Sequence, residues 1–173
     1  PQTLKRVMHV YDYCFKDTGP GGGKPQLHLY ELDYGQTIEL AGITIQATRH
    51  MHGSLDVTSY VIGDRFVYCT DVSLIPEETM AEFAGKDVVV VGAVRPDSKP
   101  HASHFVLPEA LDVLNCLAPR LGLITHMSHS FEHATVEAQL PKNRRLAFDG
   151  LVVSLKDDGI ALSDSSDAPL DCR

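Results

Sequence analysis

The chain has no tryptophan and only four cysteines, Cys14, Cys69, Cys116 and Cys172. These show neither C-x-x-C spacing nor the density of a disulfide framework, so reduced thiols in a cytoplasmic protein are expected. No apolar run approaches the roughly 20 residues needed to cross a bilayer, so no membrane partner is expected. Positive charge is also scarce: Lys and Arg number 15 against 23 Asp and Glu, for a net charge of -8. No Lys/Arg cluster builds a basic face, which argues against a nucleic-acid polymer as partner. A small anionic substrate remains compatible, because a bound metal supplies local positive charge. No signal peptide is visible, and residue 1 is Pro rather than Met.

What is present is an ordinary globular composition, 43% hydrophobic over 173 residues, long enough to bury a core within one domain. Leu4, Val7, Met8, Tyr11 and Phe15 recur at helical spacing and predict a helix over 2–15. Gly19 to Gly23 with Lys24 has the look of a phosphate-binding loop. Its spacing is wrong, and Pro25 stands where Ser or Thr is needed, so a flexible loop is expected. Strands are predicted over 26–32, 37–40, 43–48, 58–62 and 66–70, with a fully buried strand at 87–91 (DVVVV) and another at 121–125. Helices are predicted over 76–84, over 107–117 with Pro108 in the first turn, and over 130–139 with Ser128 or Ser130 as N-cap. Residues 145–148 and 151–155 flank Asp149-Gly150, which reads as a hairpin turn. Strands mixed with helices predict a layered α/β (α+β) sandwich.

Several His and Asp residues stand where predicted strands end. His50 and His52 follow 43–48, Asp71 follows 66–70 and His126 follows 121–125. Strand ends converge at one sheet edge, where α/β proteins build sites. Imidazole with carboxylate suits Zn, Mn or Fe, and a carboxylate can bridge two ions.

Five stretches carry a resemblance. They are Met51-His52-Gly53, Tyr68-Cys69-Thr70-Asp71-Val72-Ser73, His101-Ala102-Ser103-His104-Phe105, Ile124-Thr125-His126-Met127-Ser128-His129 and Phe148-Asp149-Gly150. In order and spacing they resemble the later motifs of the metallo-β-lactamase fold, and most closely its phosphoribosyl 1,2-cyclic phosphate phosphodiesterase-like branch. The resemblance implies an αββα sandwich and a hydrolase with two divalent metal ions (Zn or Mn, or Fe). His52 would complete one metal site, Asp71 would bridge both ions and take part in catalysis, and His126 would complete the second site. His104 would protonate the leaving group or bind a phosphate oxygen. Apart from the resemblance, His129 is expected to orient His126 from behind or to be a polar residue at a helix start, and His50 to support the ligands from behind. The implied reaction is hydrolysis of a small cyclic or nucleotide-like phosphodiester by water activated between two ions.

The family's HxHxDH motif does not occur in the 173 residues. Residues 1–162 are therefore expected to be the C-terminal portion of a single metallo-β-lactamase-fold domain, with a polar tail over 163–173. Such a chain would be inactive alone and would need a complementing N-terminal segment or a homo-oligomer. The rival reading is a catalytically incomplete remnant that acts as a binding module through exposed apolar surface. His129-Ser130-Phe131-Glu132-His133 also matches HxxEH, a zinc-protease pattern that requires both histidines on one helix face. His9 and His28 are expected to be structural or exposed, and His101 to lie in an exposed loop.

Overall fold

The computed structural model describes residues 2–16, 19, 23–157 and 159–165. The chain divides into two compact units, Pro1–Asp33 and Tyr34–Arg173, where the sequence suggested one. In the first unit, helix α1 spans Gln2–Val10. It gives way to a 3-10 turn over Asp12–Cys14, short of the predicted end at 15. No strand forms over 26–32. The apolar alternation there finds no ladder partner among the described residues, and Leu27, Leu29 and Tyr30 stay exposed. Without cross-strand hydrogen bonds an extended segment is not a strand. Residues 20–22 of the predicted glycine loop lie outside the described residues.

The second unit holds a seven-stranded sheet in sequential order. Its strands are β1 (Thr37–Leu40), β2 (Ile43–His52), β3 (Leu55–Ile62), β4 (Phe66–Cys69), β5 (Val88–Gly92), β6 (Leu121–Thr125) and β7 (Arg144–Leu146). The pairs from β1 to β4 are antiparallel hairpins. From β4 to β7 the pairs are parallel, so those connections cross over, through α2 (Glu77–Phe83), α3 (Leu107–Leu117) and α4 (His133–Glu137). All five residues of β5 are buried, as its four successive valines predict for a strand covered on both faces.

Alternation along each strand separates two cores. On one face Val61, Val67, Val89, Val91, Ile124 and Leu146 meet Phe83 of α2 and Leu107, Ala110 and Leu114 of α3. On the other, Val88, Val90, Leu121 and Leu123 are covered by a second sheet, the hairpin of β8 (Leu151–Lys156) and β9 (Gly159–Asp164). Helices, large sheet and small sheet are successive layers of the expected sandwich. α3 lies so close to the sheet that a Cβ at Gly122 would stand 2.7 Å from Arg144 Cδ and 2.9 Å from a Leu114 methyl.

Three further expectations are corrected. Asp149-Gly150 does not turn a hairpin: β7 pairs with β6 and β8 with β9, so the turn carries the chain from one sheet to the other. The helix expected over 130–139 is only His133–Glu137. Its N-cap is Glu132, which accepts from Thr135 N–H at 2.7 Å, while Ser128 and Ser130 hydrogen-bond each other at 2.8 Å. β9 was not foreseen and runs through Asp164, past the boundary expected at 162. Residues 166–173, with Cys172, lie outside the described residues. No helix among the described residues is long and apolar enough to cross a membrane.

Candidate metal centre

Parallel strands deliver their C-terminal ends to one edge of a sheet, and here that edge gathers the predicted residues. Asp71 stands two residues past the end of β4 and His126 immediately follows β6. Both have left-handed backbones, φ +56° and +61°, a conformation that costs a non-glycine residue on the order of 1 kcal/mol. Between them, at the end of β5, stands Gly92. A Cβ there would lie 3.3 Å from Thr70 Cα and 3.4 Å from both Asp71 N and His126 Cβ. The antiparallel arm contributes His52, the last residue of β2, and the two-residue period puts His50 on the same face. His104 comes from the loop between β5 and α3. That loop is tied down by Phe105, which is buried, donates its N–H to Val72 O and accepts from Val94 N–H at 2.9 Å.

These elements converge. The Nε2 atoms of His52 and His104 are 3.1 Å apart. A nitrogen of each ring and a carboxylate oxygen of Asp71 lie within 4.8 Å of one another. His126 Nε2 stands 3.3 Å from Asp71 Oδ1. The His104 ring is also 4.9 Å, centroid to centroid, from His126 and 5.0 Å from the exposed His101. Burial first, and then the neighbouring histidines His52, His126 and His101, hold the His104 pKa below the ordinary value of 6.5.

His50 is fully buried. Its Nδ1 lies 2.5 Å from Ser59 Oγ, and its Nε2 faces Thr70 O at 2.9 Å and Asp71 O at 3.2 Å. Burial lowers its pKa, against the raising effect of those backbone carbonyls. His129 is exposed, and no hydrogen bond joins it to His126 among the described residues. His129 precedes α4 whereas His133 begins it, so the two HxxEH histidines do not share a helix face. The protease pattern therefore lacks its scaffold.

The donor set fits a divalent metal. Two imidazole nitrogens and a carboxylate oxygen are borderline ligands suited to Zn, Mn or Fe. Two nitrogens bound tetrahedrally to one zinc would be about 3.3 Å apart, close to the His52–His104 separation. His104 Nδ1 is buried with no hydrogen-bond partner among the described residues, so the contact that bears on the tautomer of that ring is the one between its Nε2 and His52 Nε2.

Three residues of the site had no role assigned from sequence. Ser59 left no signal beyond a small polar side chain in an apolar strand. Ser73 lies within a quoted motif, and its Oγ accepts from Gly53 N–H at 2.9 Å and faces Met51 O at 3.2 Å. Gly92 is legible only once the strand ends are assembled.

The beta-lactamase superfamily domain matches residues 1–127. The chain belongs to that superfamily, in its metallo-β-lactamase fold. Among solved structures of this fold, a diphosphatase of the PhnP family is 30% identical, with a TM-score of 0.71 over 86% of this chain and 53% of that one. The zinc-bound PqqB of Methylobacterium extorquens is 15% identical, with a TM-score of 0.57 over 72% and 55%, and shares the fold. An octanoyltransferase of Porphyromonas gingivalis is 27% identical over 165 residues, 93% of this chain and 32% of that protein. The chain thus spans about a third of that curated relative and about half of the diphosphatase.

Proposed function

We propose that the chain supplies one side of a dinuclear metal centre that hydrolyses a small cyclic or nucleotide-like phosphodiester. The observation that carries this reading is the convergence of His52, Asp71 and His104 within 4.8 Å, with His126 against the Asp71 carboxylate. His52, Asp71 and His126 would hold the metal, with Asp71 shared between two ions. Divalent ions supply Lewis acidity for phosphoryl oxygens and favour ionisation of water at neutral pH. His104, beside His52 with Nε2 on the side of the cluster, would hold or deliver a proton at the leaving oxygen. A cleft of about 310 Å³ lined by Thr125, His126, Met127, Ala147, Phe148 and Asp149 adjoins the cluster. Its size is at the low end for ligand pockets and suits a small substrate. The likeness to a diphosphatase supports phosphoryl rather than acyl chemistry.

Zinc or manganese titration of the purified chain tests this, followed by hydrolysis of bis(4-nitrophenyl) phosphate. Metal uptake that Asp71→Ala abolishes is the expected result. No uptake at micromolar metal would sink it.

One observation favours the second reading, a binding module that completes its site with another polypeptide. Ile38, Leu40, Ile43, Tyr60 and Tyr68 share one face of the large sheet by register and remain 39% or more exposed. Sedimentation at increasing concentration, with and without zinc, separates self-association through this face from a monomeric chain.

A further inference from the structure

His50 does not touch the space between the candidate ligands, yet it is enclosed completely and engaged at both ring nitrogens. Carbonyl oxygens only accept, so the nitrogen facing Thr70 O and Asp71 O must carry the proton. In the neutral ring, Nδ1 then accepts from the Ser59 hydroxyl. The chain of contacts runs from β3 through the His50 ring to the backbone that leaves β4, and it ends on the one carbonyl belonging to Asp71. That residue is held at φ +56°, where a non-glycine backbone persists only if its surroundings fix it. Because side chains alternate along β2, the strand that presents His52 also presents the group gripping Asp71. The spacing of the two candidate ligands is thereby set by a single rigid element.

We propose that His50, anchored by Ser59, is a positioning residue that fixes the left-handed backbone at Asp71 and so aims its carboxylate toward His52 and His126. The metal-binding consequence rests on the reading given above; the backbone consequence does not.

The test uses His50→Leu, which keeps bulk and loses the donor, His50→Gln, which keeps an N–H donor, and Ser59→Ala, which removes only the anchor. Thr79→Val is the control, because the buried Thr79 hydroxyl donates to Arg49 O at 2.7 Å in the same strand and has no part in the site. One readout is the NMR carbonyl and Cα shifts and the HN–Hα coupling of Asp71 in metal-free protein. The other is zinc affinity by competition with a chromophoric chelator. Expected is movement of Asp71 out of the left-handed region in His50→Leu and a zinc affinity lower by about 10–100-fold, the usual effect of losing a group behind a ligand. His50→Gln restores most of both, and Ser59→Ala falls between. Thr79→Val lowers melting temperature without moving either. Left-handed Asp71 shifts that persist in His50→Leu and Ser59→Ala overturn the proposal. If the wild-type chain binds no zinc, the metal reading fails, while the Asp71 shifts still decide whether His50 holds that backbone. Should His50→Leu not fold, Ser59→Ala and His50→Gln decide the question between them.

Discussion

His52 and His104 meet Nε2 to Nε2 at 3.1 Å across 52 residues of sequence. Two imidazole nitrogens this close either share a proton or share a cation, and the two cases assign His104 different work. As a proton carrier it matters to the reaction and not to the ion. As a ligand it matters to both.

Substituting each histidine in turn separates these cases. His52→Ala is expected to weaken zinc binding by at least about 100-fold, the upper range for a group that merely supports a ligand. His104→Ala is expected to keep zinc affinity and to lose about 10²–10⁴-fold in phosphodiester cleavage, the usual worth of general acid catalysis. Equal loss of zinc in both variants would make His104 a ligand instead. Equilibrium dialysis and a chromogenic diester assay supply the two readouts.

Arg144 is buried, and among the described residues it has no acidic partner. Its guanidinium donates to Leu114 O at 2.8 Å, Asn143 O at 3.0 Å and Pro119 O at 3.3 Å. Leu114 O lies in the last turn of α3, where it also accepts from Ala118 N–H at 3.0 Å and the dipole favours positive charge. Arg144→Ala would remove the charged second donor from these carbonyls, which also accept from Ala118 N–H, Gly122 N–H and Asn143 Nδ2, and would open a cavity beside Gly122. A loss of about 2–4 kcal/mol in urea unfolding is expected. Arg144→Lys, with one nitrogen in place of a planar fork, recovers less than half. A loss under about 0.5 kcal/mol for Arg144→Ala would show that water replaces the guanidinium.

Elements whose burial dictates their composition were legible from sequence. The DVVVV run could only be a strand covered on both faces, and Pro108 marked the start of α3, where the structure adds that Glu109 accepts Val106 N–H at 2.9 Å. The placement of His52, Asp71 and His126 at one sheet edge was legible because strand ends are. What escaped were features decided by pairing partners. Leu27 to Tyr30 alternates like a strand and finds no ladder partner among the described residues. Asp149-Gly150 is good turn chemistry, yet it joins two different sheets. The grip of His50 on Asp71 depends on Ser59 and on a left-handed backbone, and a sequence displays neither.

Burial pushes the Cys69 thiol up to about 12 from an ordinary 9.0, with only a partial offset from Ser59. Below pH 9 the thiol is protonated in both folded and unfolded chains, so that stability is fully present. Above it the unfolded thiol ionises first, and stability falls by about 1.4 kcal/mol per pH unit until the folded thiol also ionises near 12. Urea unfolding of Cys69→Ala between pH 8 and 11 should show a shallower alkaline decline than wild type. Parallel slopes would show that Cys69 ionises equally in both states. In native protein near neutral pH, iodoacetamide should label the exposed Cys116 well before the buried Cys69.

Gly92 separates demands of fold from demands of site. It ends β5 without a positive φ, so alanine meets no backbone strain there; the constraint is space. The added methyl would press on Thr70 Cα, Asp71 N and His126 Cβ at 3.3–3.4 Å, and each neighbour would have to yield by a few tenths of an ångström. These neighbours are the backbone entering Asp71 and the root of His126, so their retreat widens the 3.3 Å gap between the two side chains. Gly92→Ala is expected to cost about 1–3 kcal/mol, as overpacking does, and to weaken zinc binding by about tenfold or more. Gly122→Ala, crowded by Arg144 and Leu114 away from the cluster, should cost as much stability and leave zinc binding unchanged. Zinc affinities that track stability equally in both variants would mean that Gly92 serves packing alone.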